Sequence, residues 1–175
     1  MTARAGLRSL PNIISSSRVL LAAAFVAADN ANSRLGLVGL AGLTDFLDGW
    51  VARKGHWTSR VGALVDPIAD RIFVLVALST FLYLGMLSPV AYFVMLSRDI
   101  MTAVGFLVAR IIPWLQAVPF KARLSGKIVT TLQLITFAAL LRMPEWVTPC
   151  VWVVGIASLY SIIDYTYALW NARTR

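Results

Sequence analysis

Four aspartates fall within one short stretch: Asp45, Asp48, Asp66 and Asp70. They are half of the chain's 8 acidic residues. Asp45 and Asp48 are three positions apart, and Asp66 and Asp70 four, so each pair shares a face if its segment is helical. A return loop, roughly Arg53 to Gly62, would set the two helix ends side by side. Four carboxylates at close range do not all ionise unaided. Divalent cations remove that conflict, and oxygen-only ligands select Mg²⁺ or Mn²⁺, or Ca²⁺, over zinc or copper. Two such ions can clamp a pyrophosphate and stabilise its leaving group. Gly49 and Gly62 take side chains away beside the acids, so a nucleotide can approach the backbone. Ala52 keeps the same face open, and Arg53 complements phosphate charge. Either pair alone also reads as helix caps and structural ion pairs.

Something must hold these acids in place, and the composition says what. Of 175 residues, 59% are hydrophobic and only 14% charged, yet Lys+Arg number 16 and the net charge is +8. A soluble domain is typically ~45–50% apolar and ~25% charged. Disorder needs low hydrophobicity. A soluble nucleic-acid binder would explain the basicity but not so few charges, so no nucleic-acid partner is expected. A polytopic membrane protein fits both. Six all-α spans are read, at about 12–28, 34–52, 63–86, 88–112, 127–143 and 145–170, each near the ~20 residues a bilayer requires. They form a single domain, 1–175. Arg4 and Arg8, then Arg53, Lys54 and Arg60, then Lys121, Arg123 and Lys127, then Arg173 and Arg175 fall on alternate loops. That places both termini and the acid cluster on the cytoplasmic side.

Arg18 within the first apolar run argues against a cleaved signal. Residues 1–10 read either as a short juxtamembrane amphipathic helix or as a polar terminus. Gly36, Gly39 and Gly42 are read as small residues for close helix packing. Cys150 is read as a small buried hydrophobe. His56 lies in a loop and is not assigned to metal. The Trp residues near span ends form an interfacial belt.

The stretch from Asp45 to Asp70 fits D-x2-D-G-x2-A-R-x8-G-x3-D-x3-D at Asp45, Asp48, Gly49, Ala52, Arg53, Gly62, Asp66 and Asp70. Eight fixed positions give chance odds on the order of 10⁻¹⁰ per start site. In this the chain resembles the CDP-alcohol phosphotransferase (phosphatidyltransferase) family over nearly its whole length. The resemblance implies a six-helix, usually homodimeric membrane enzyme that displaces CMP from a CDP-linked lipid or alcohol. It implies two Mg²⁺ or Mn²⁺ ions on Asp45, Asp48, Asp66 and Asp70, with Asp70 also the catalytic base. It implies a CDP site bordered by Asn12, Gly49, Ala52, Arg53 and Gly62.

PNIISSSRVLLA at 11–22, LSRDIMTA at 96–103 and SGKIVTTLQL at 125–134 look like phosphatidylglycerophosphate synthases and CMP-forming cardiolipin synthases. Arg98-Asp99 departs from the Arg-Glu usual in the former and is closer to eukaryotic-type cardiolipin synthases. Gly126-Lys127 suits glycerol 3-phosphate. The expected substrates are therefore CDP-diacylglycerol and a small or lipid alcohol, with glycerol 3-phosphate preferred and phosphatidylglycerol the alternative. Inositol phosphate and a cation-transporter role rank below these. A dianionic acceptor needs basic residues, for which Arg60, Arg98, Arg123 and Lys127 are the candidates. Topology, lipid headgroups or an Arg98–Asp99 pair would also account for them. Asp164, with no second acid nearby, reads as a structural acceptor. The expected location is a bacterial inner membrane, with the site facing the cytoplasm.

Overall fold

The computed structural model describes the backbone of residues 10–54, 62–111 and 124–172, and the side chains of 17–46, 71–105, 108, 124–168 and 170. Six long helices account for nearly all of it: α1 (Leu10–Ala27), α2 (Ala31–Lys54), α3 (Gly62–Tyr83), α4 (Pro89–Ile111), α5 (Leu124–Arg142) and α6 (Val147–Ala172). A 3₁₀ turn, Pro144–Trp146, precedes α6. No strand occurs among the described residues. The six helices match the six expected segments to within three residues at each end. The segment before Leu10, read as a surface helix or a polar terminus, lies outside the described residues.

Local chemistry explains where the helices stop and start. Asn30 caps α2, its Oδ1 accepting the Ser33 amide at 2.7 Å, which satisfies one of the donors a helix start leaves open. At the end of α3, Gly85 adopts φ +69. The amides of Gly85 and Met86 then return to the carbonyls of Leu82 and Phe81, each at 3.0 Å. This left-handed closure is open to glycine because it has no Cβ. Ser88 then caps α4 through the Ala91 amide at 3.2 Å, with Pro89 in the first helical position, where its missing N–H costs nothing.

The helices form two compact units, residues 1–86 and 87–175. In the first, α1 packs on both α2 and α3. Its centre is aromatic: Phe25 meets Phe73 and Phe81 edge-on, with ring centroids 5.7 and 5.5 Å apart. Arg34 lies over the Phe25 ring, 5.8 Å from its centroid, a cation–π contact. In the second unit, α6 packs on α4 and α5. Gly155 allows close approach of α6 to α4, since a methyl there would sit 3.0 Å from Val94 Cγ1. Gly36 and Gly39 correct an expectation. Among the described residues, no atom beyond α2's own backbone lies within 4 Å of a Cβ at either, so they face open space rather than a packed helix. Cys150 is half-buried rather than buried.

The polarity of α6 is the reverse of a soluble helix. Ser158 and Ser161 are fully buried, while Trp152 (68%), Ile156, Leu159, Tyr160 and Ile163 are exposed. In water this arrangement wastes apolar burial. Against hydrocarbon it is expected, because apolar side chains meet lipid and polar ones turn inward. Among the described residues, Leu124–Arg142 and Pro144–Ala168 are long and apolar enough to cross a membrane. Trp146 and Trp170, exposed near the two ends of α6, suit a pair of interfacial belts.

Candidate active site

The acid motif maps onto two helix ends. Asp45 and Asp48 lie in the C-terminal part of α2, and Asp66 and Asp70 in the first turns of α3. Pro67 is the sixth residue of α3, so its missing amide leaves the Ala63 carbonyl without its i+4 donor. Both helices pack on α1, and one side chain of α1 reaches the motif.

That side chain is Arg18. It is buried at 3% exposure, and its Nη2 donates to Asp45 Oδ1 at 3.2 Å. The geometry follows from the turn at 28–30. Arg18 lies nine residues before the end of α1 and Asp45 fourteen after the start of α2. At ~1.5 Å per residue they differ in height by about 7 Å. Helical side chains lean toward the N-terminus, which for α1 is the direction of the acids, and an extended Arg covers the gap. The Asp45 side chain is 49% exposed, and among the described residues only its Oδ1 is hydrogen-bonded.

The donor set would suit a hard cation, since every acid of the motif is a carboxylate and Asp45 keeps one oxygen uncommitted among the described residues. Among the described residues no three potential ligands converge. The side chains of Asp48, Asp66 and Asp70 lie outside them, as do those of Asn12, Gly49, Ala52, Arg53, Arg60, Gly62 and Arg123.

In the second unit, Arg98 on α4 is buried and donates to Asp99 Oδ1 at 2.9 Å. Gln133 Nε2 on α5 donates to Asp99 Oδ2 at 3.0 Å and to the Met95 carbonyl at 2.8 Å. The cluster ties α4 to α5 through hydrogen bonds that water cannot reach. Arg98 Nε is buried without a hydrogen-bond partner. The guanidinium lies directly over Gly126, where a Cβ would collide with Nη2 and come 3.2 Å from Tyr165 Oη. Lys127 follows and is exposed. The structure therefore brings two of the four expected acceptor-binding residues to the first turn of α5. Ser125 donates to Asp164 at 2.8 Å, the structural role expected for that acid. Leu124, Ser125, Ile128, Tyr160 and Asp164 line an open cleft beside it.

Gly126→Ala should dislodge the Arg98 guanidinium from its seat. The expected cost is about 1–3 kcal/mol, in the range for overpacking, read as a lower thermal midpoint in detergent. An unchanged midpoint would mean Arg98 relaxes freely.

Sequence reasoning missed two participants. Arg18 has a signal, a lone arginine inside an apolar run and within the 11–22 stretch, but nothing in the sequence names Asp45 as its partner. Gln133 had none, because its partners lie 34 and 38 residues away.

Comparison with known proteins adds to this geometry. The CDP-alcohol phosphatidyltransferase family profile matches residues 8–159, across both units. The CDP-diacylglycerol–glycerol-3-phosphate 3-phosphatidyltransferase of Aquifex aeolicus (strain VF5) is 38% identical over 109 residues, 58% of this chain and 61% of that protein. The CMP-forming cardiolipin synthase of Homo sapiens is 30% identical over 153 residues, 78% of this chain and 51% of that one. A second CDP-diacylglycerol–glycerol-3-phosphate 3-phosphatidyltransferase, from Sodalis glossinidius, is 28% identical over 144 residues, 74% of each chain. The chain thus spans between half and two thirds of the length of the first two relatives.

Proposed function

The chain belongs to the CDP-alcohol phosphatidyltransferase family, and on that premise we propose that it transfers a phosphatidyl group from CDP-diacylglycerol to glycerol 3-phosphate, releasing CMP. The acid motif, with Asp45 half-exposed and held by Arg18, carries this reading. Two relatives whose names specify glycerol 3-phosphate support the acceptor.

In the proposed reaction, Asp45, Asp48, Asp66 and Asp70 would hold two Mg²⁺ or Mn²⁺ ions, which would supply positive charge to offset the negative charge developing on the CMP leaving group. Asp70 accepts the proton of the acceptor hydroxyl. That oxygen forms a bond to the β-phosphorus, the one bearing diacylglycerol, and the bond from this phosphorus to the oxygen of CMP breaks. Asn12, Gly49, Ala52, Arg53 and Gly62 border the CDP moiety. Lys127 supplies charge to the acceptor phosphate, with Arg60 and Arg123 as further contributors. The setting is a bacterial inner membrane crossed six times, both termini and the site on the cytoplasmic side, and the working unit a homodimer. The apolar outer face of α6 supports the bilayer setting.

One observation favours a second acceptor. Arg98 is already neutralised by Asp99, which weakens its attraction for a dianion. A lipid alcohol such as phosphatidylglycerol asks less charge of the site, and the human relative is a cardiolipin synthase. Purified protein with CDP-diacylglycerol and Mg²⁺ should be offered glycerol 3-phosphate, phosphatidylglycerol and inositol phosphate in parallel, and the lipid products identified. Phosphatidylglycerol phosphate as the main product supports the first reading. Cardiolipin supports the second, and no product from any acceptor contradicts both. Lys127→Ala should raise KM for glycerol 3-phosphate about tenfold, one charge-assisted contact, and leave KM for CDP-diacylglycerol unchanged. An equal rise in both would remove Lys127 from the acceptor site.

A further inference from the structure

Arg18 is a cation buried at 3% exposure in an apolar helix, a placement that is costly unless its partner compensates. Part of that compensation comes from an acid of the motif. The guanidinium takes Asp45 Oδ1 at 3.2 Å, on a helix, α1, that packs on both motif helices. A carboxylate with one oxygen fixed by a buried donor no longer rotates freely about its terminal torsion. We propose that Arg18 is a positioning residue for the divalent-cation centre, holding Asp45 so that its second oxygen is presented to the metal; this rests on the metal assignment made above.

Two physical effects of Arg18 oppose each other. Its positive charge repels a cation and would weaken metal binding. Its grip on Asp45 orders a ligand in advance and strengthens binding. The pairing is one-to-one in charge but fixed in direction, and groups that orient metal ligands typically contribute 10–100-fold in affinity. Orientation should therefore win, and loss of Arg18 should weaken metal binding. A purely structural arginine would affect stability alone.

The test is Mn²⁺ titration of the purified full-length chain in detergent, followed by electron paramagnetic resonance without substrate. Arg18→Gln should raise the Mn²⁺ dissociation constant about tenfold or more. Arg18→Lys keeps the charge but loses the planar fork, so its rise should be smaller; it carries the test if Arg18→Gln fails to fold. In an Asp45→Asn background, Arg18→Gln should have much less effect, because its route to the metal is already cut. Unchanged or tighter Mn²⁺ binding in a folded Arg18 variant would overturn the inference. So would an equal effect with Asp45 already replaced, or no Mn²⁺ binding by the unaltered protein. CMP release by the unaltered protein, measured alongside, separates the two claims. Release with unchanged Mn²⁺ affinity in Arg18→Gln would sink the role of Arg18 and leave the transfer reaction standing. A tenfold affinity loss without release would do the reverse.

Discussion

Asp45→Asn and Asp66→Asn should each reduce turnover by at least ~10³-fold, over 4 kcal/mol of transition-state stabilisation at ~1.36 kcal/mol per tenfold, without unfolding the protein. Asn keeps the shape of Asp and, at position 45, an oxygen that can still accept from Arg18. It loses the negative charge that a divalent cation requires. The expected pattern is therefore a normal thermal midpoint with turnover at background. Asp70→Asn should lose rate more than metal affinity, because its further task is to take a proton. Full activity in the Asp45 or Asp66 variant would remove that residue from the metal set. Full activity in the Asp70 variant would remove it as base.

The second large effect concerns stability. Arg98→Ala should destabilise the second unit by about 3–5 kcal/mol, the usual result of breaking a buried pair from one side. Asp99 is 8% exposed and would lose its guanidinium partner, while Gln133 Nε2 still donates to it. The double variant Arg98→Met with Asp99→Leu should recover most of the loss, since an apolar replacement leaves no buried charge. Thermal denaturation of the single and double variants checks this. A stable Arg98→Ala would show that the pair holds little. The double variant also separates two roles of Arg98. If it folds but its KM for the acceptor rises, Arg98 contacts substrate as well as Asp99.

The helices were legible because bilayer-length apolar runs are local signals. The caps at Asn30 and Ser88 were supplied by the structure and fall at the boundaries between the expected spans. The Arg98–Asp99 pair was legible for the same reason, being adjacent in the chain. Pairings across helices were not. The Arg18–Asp45 contact spans 27 residues and depends on how α1 and α2 are rotated against each other, which no spacing rule states. Gly36 and Gly39 show the opposite failure. A run of small residues permits close packing but does not name a partner, and among the described residues no other helix approaches Gly36 or Gly39. The motif itself was legible as a family pattern, and the family profile spans it; its four carboxylates as ligands of a hard metal are the proposal made above.

The central claim is metal-dependent phosphatidyl transfer, and CMP release by the purified protein tests it most directly. With CDP-diacylglycerol, glycerol 3-phosphate and Mg²⁺, CMP should appear in step with phosphatidylglycerol phosphate. Release should cease when the acceptor is omitted or a chelator is added, and return with Mg²⁺ or Mn²⁺. CMP release that persists in chelator, or none with either metal and any of the three acceptors, would contradict the account.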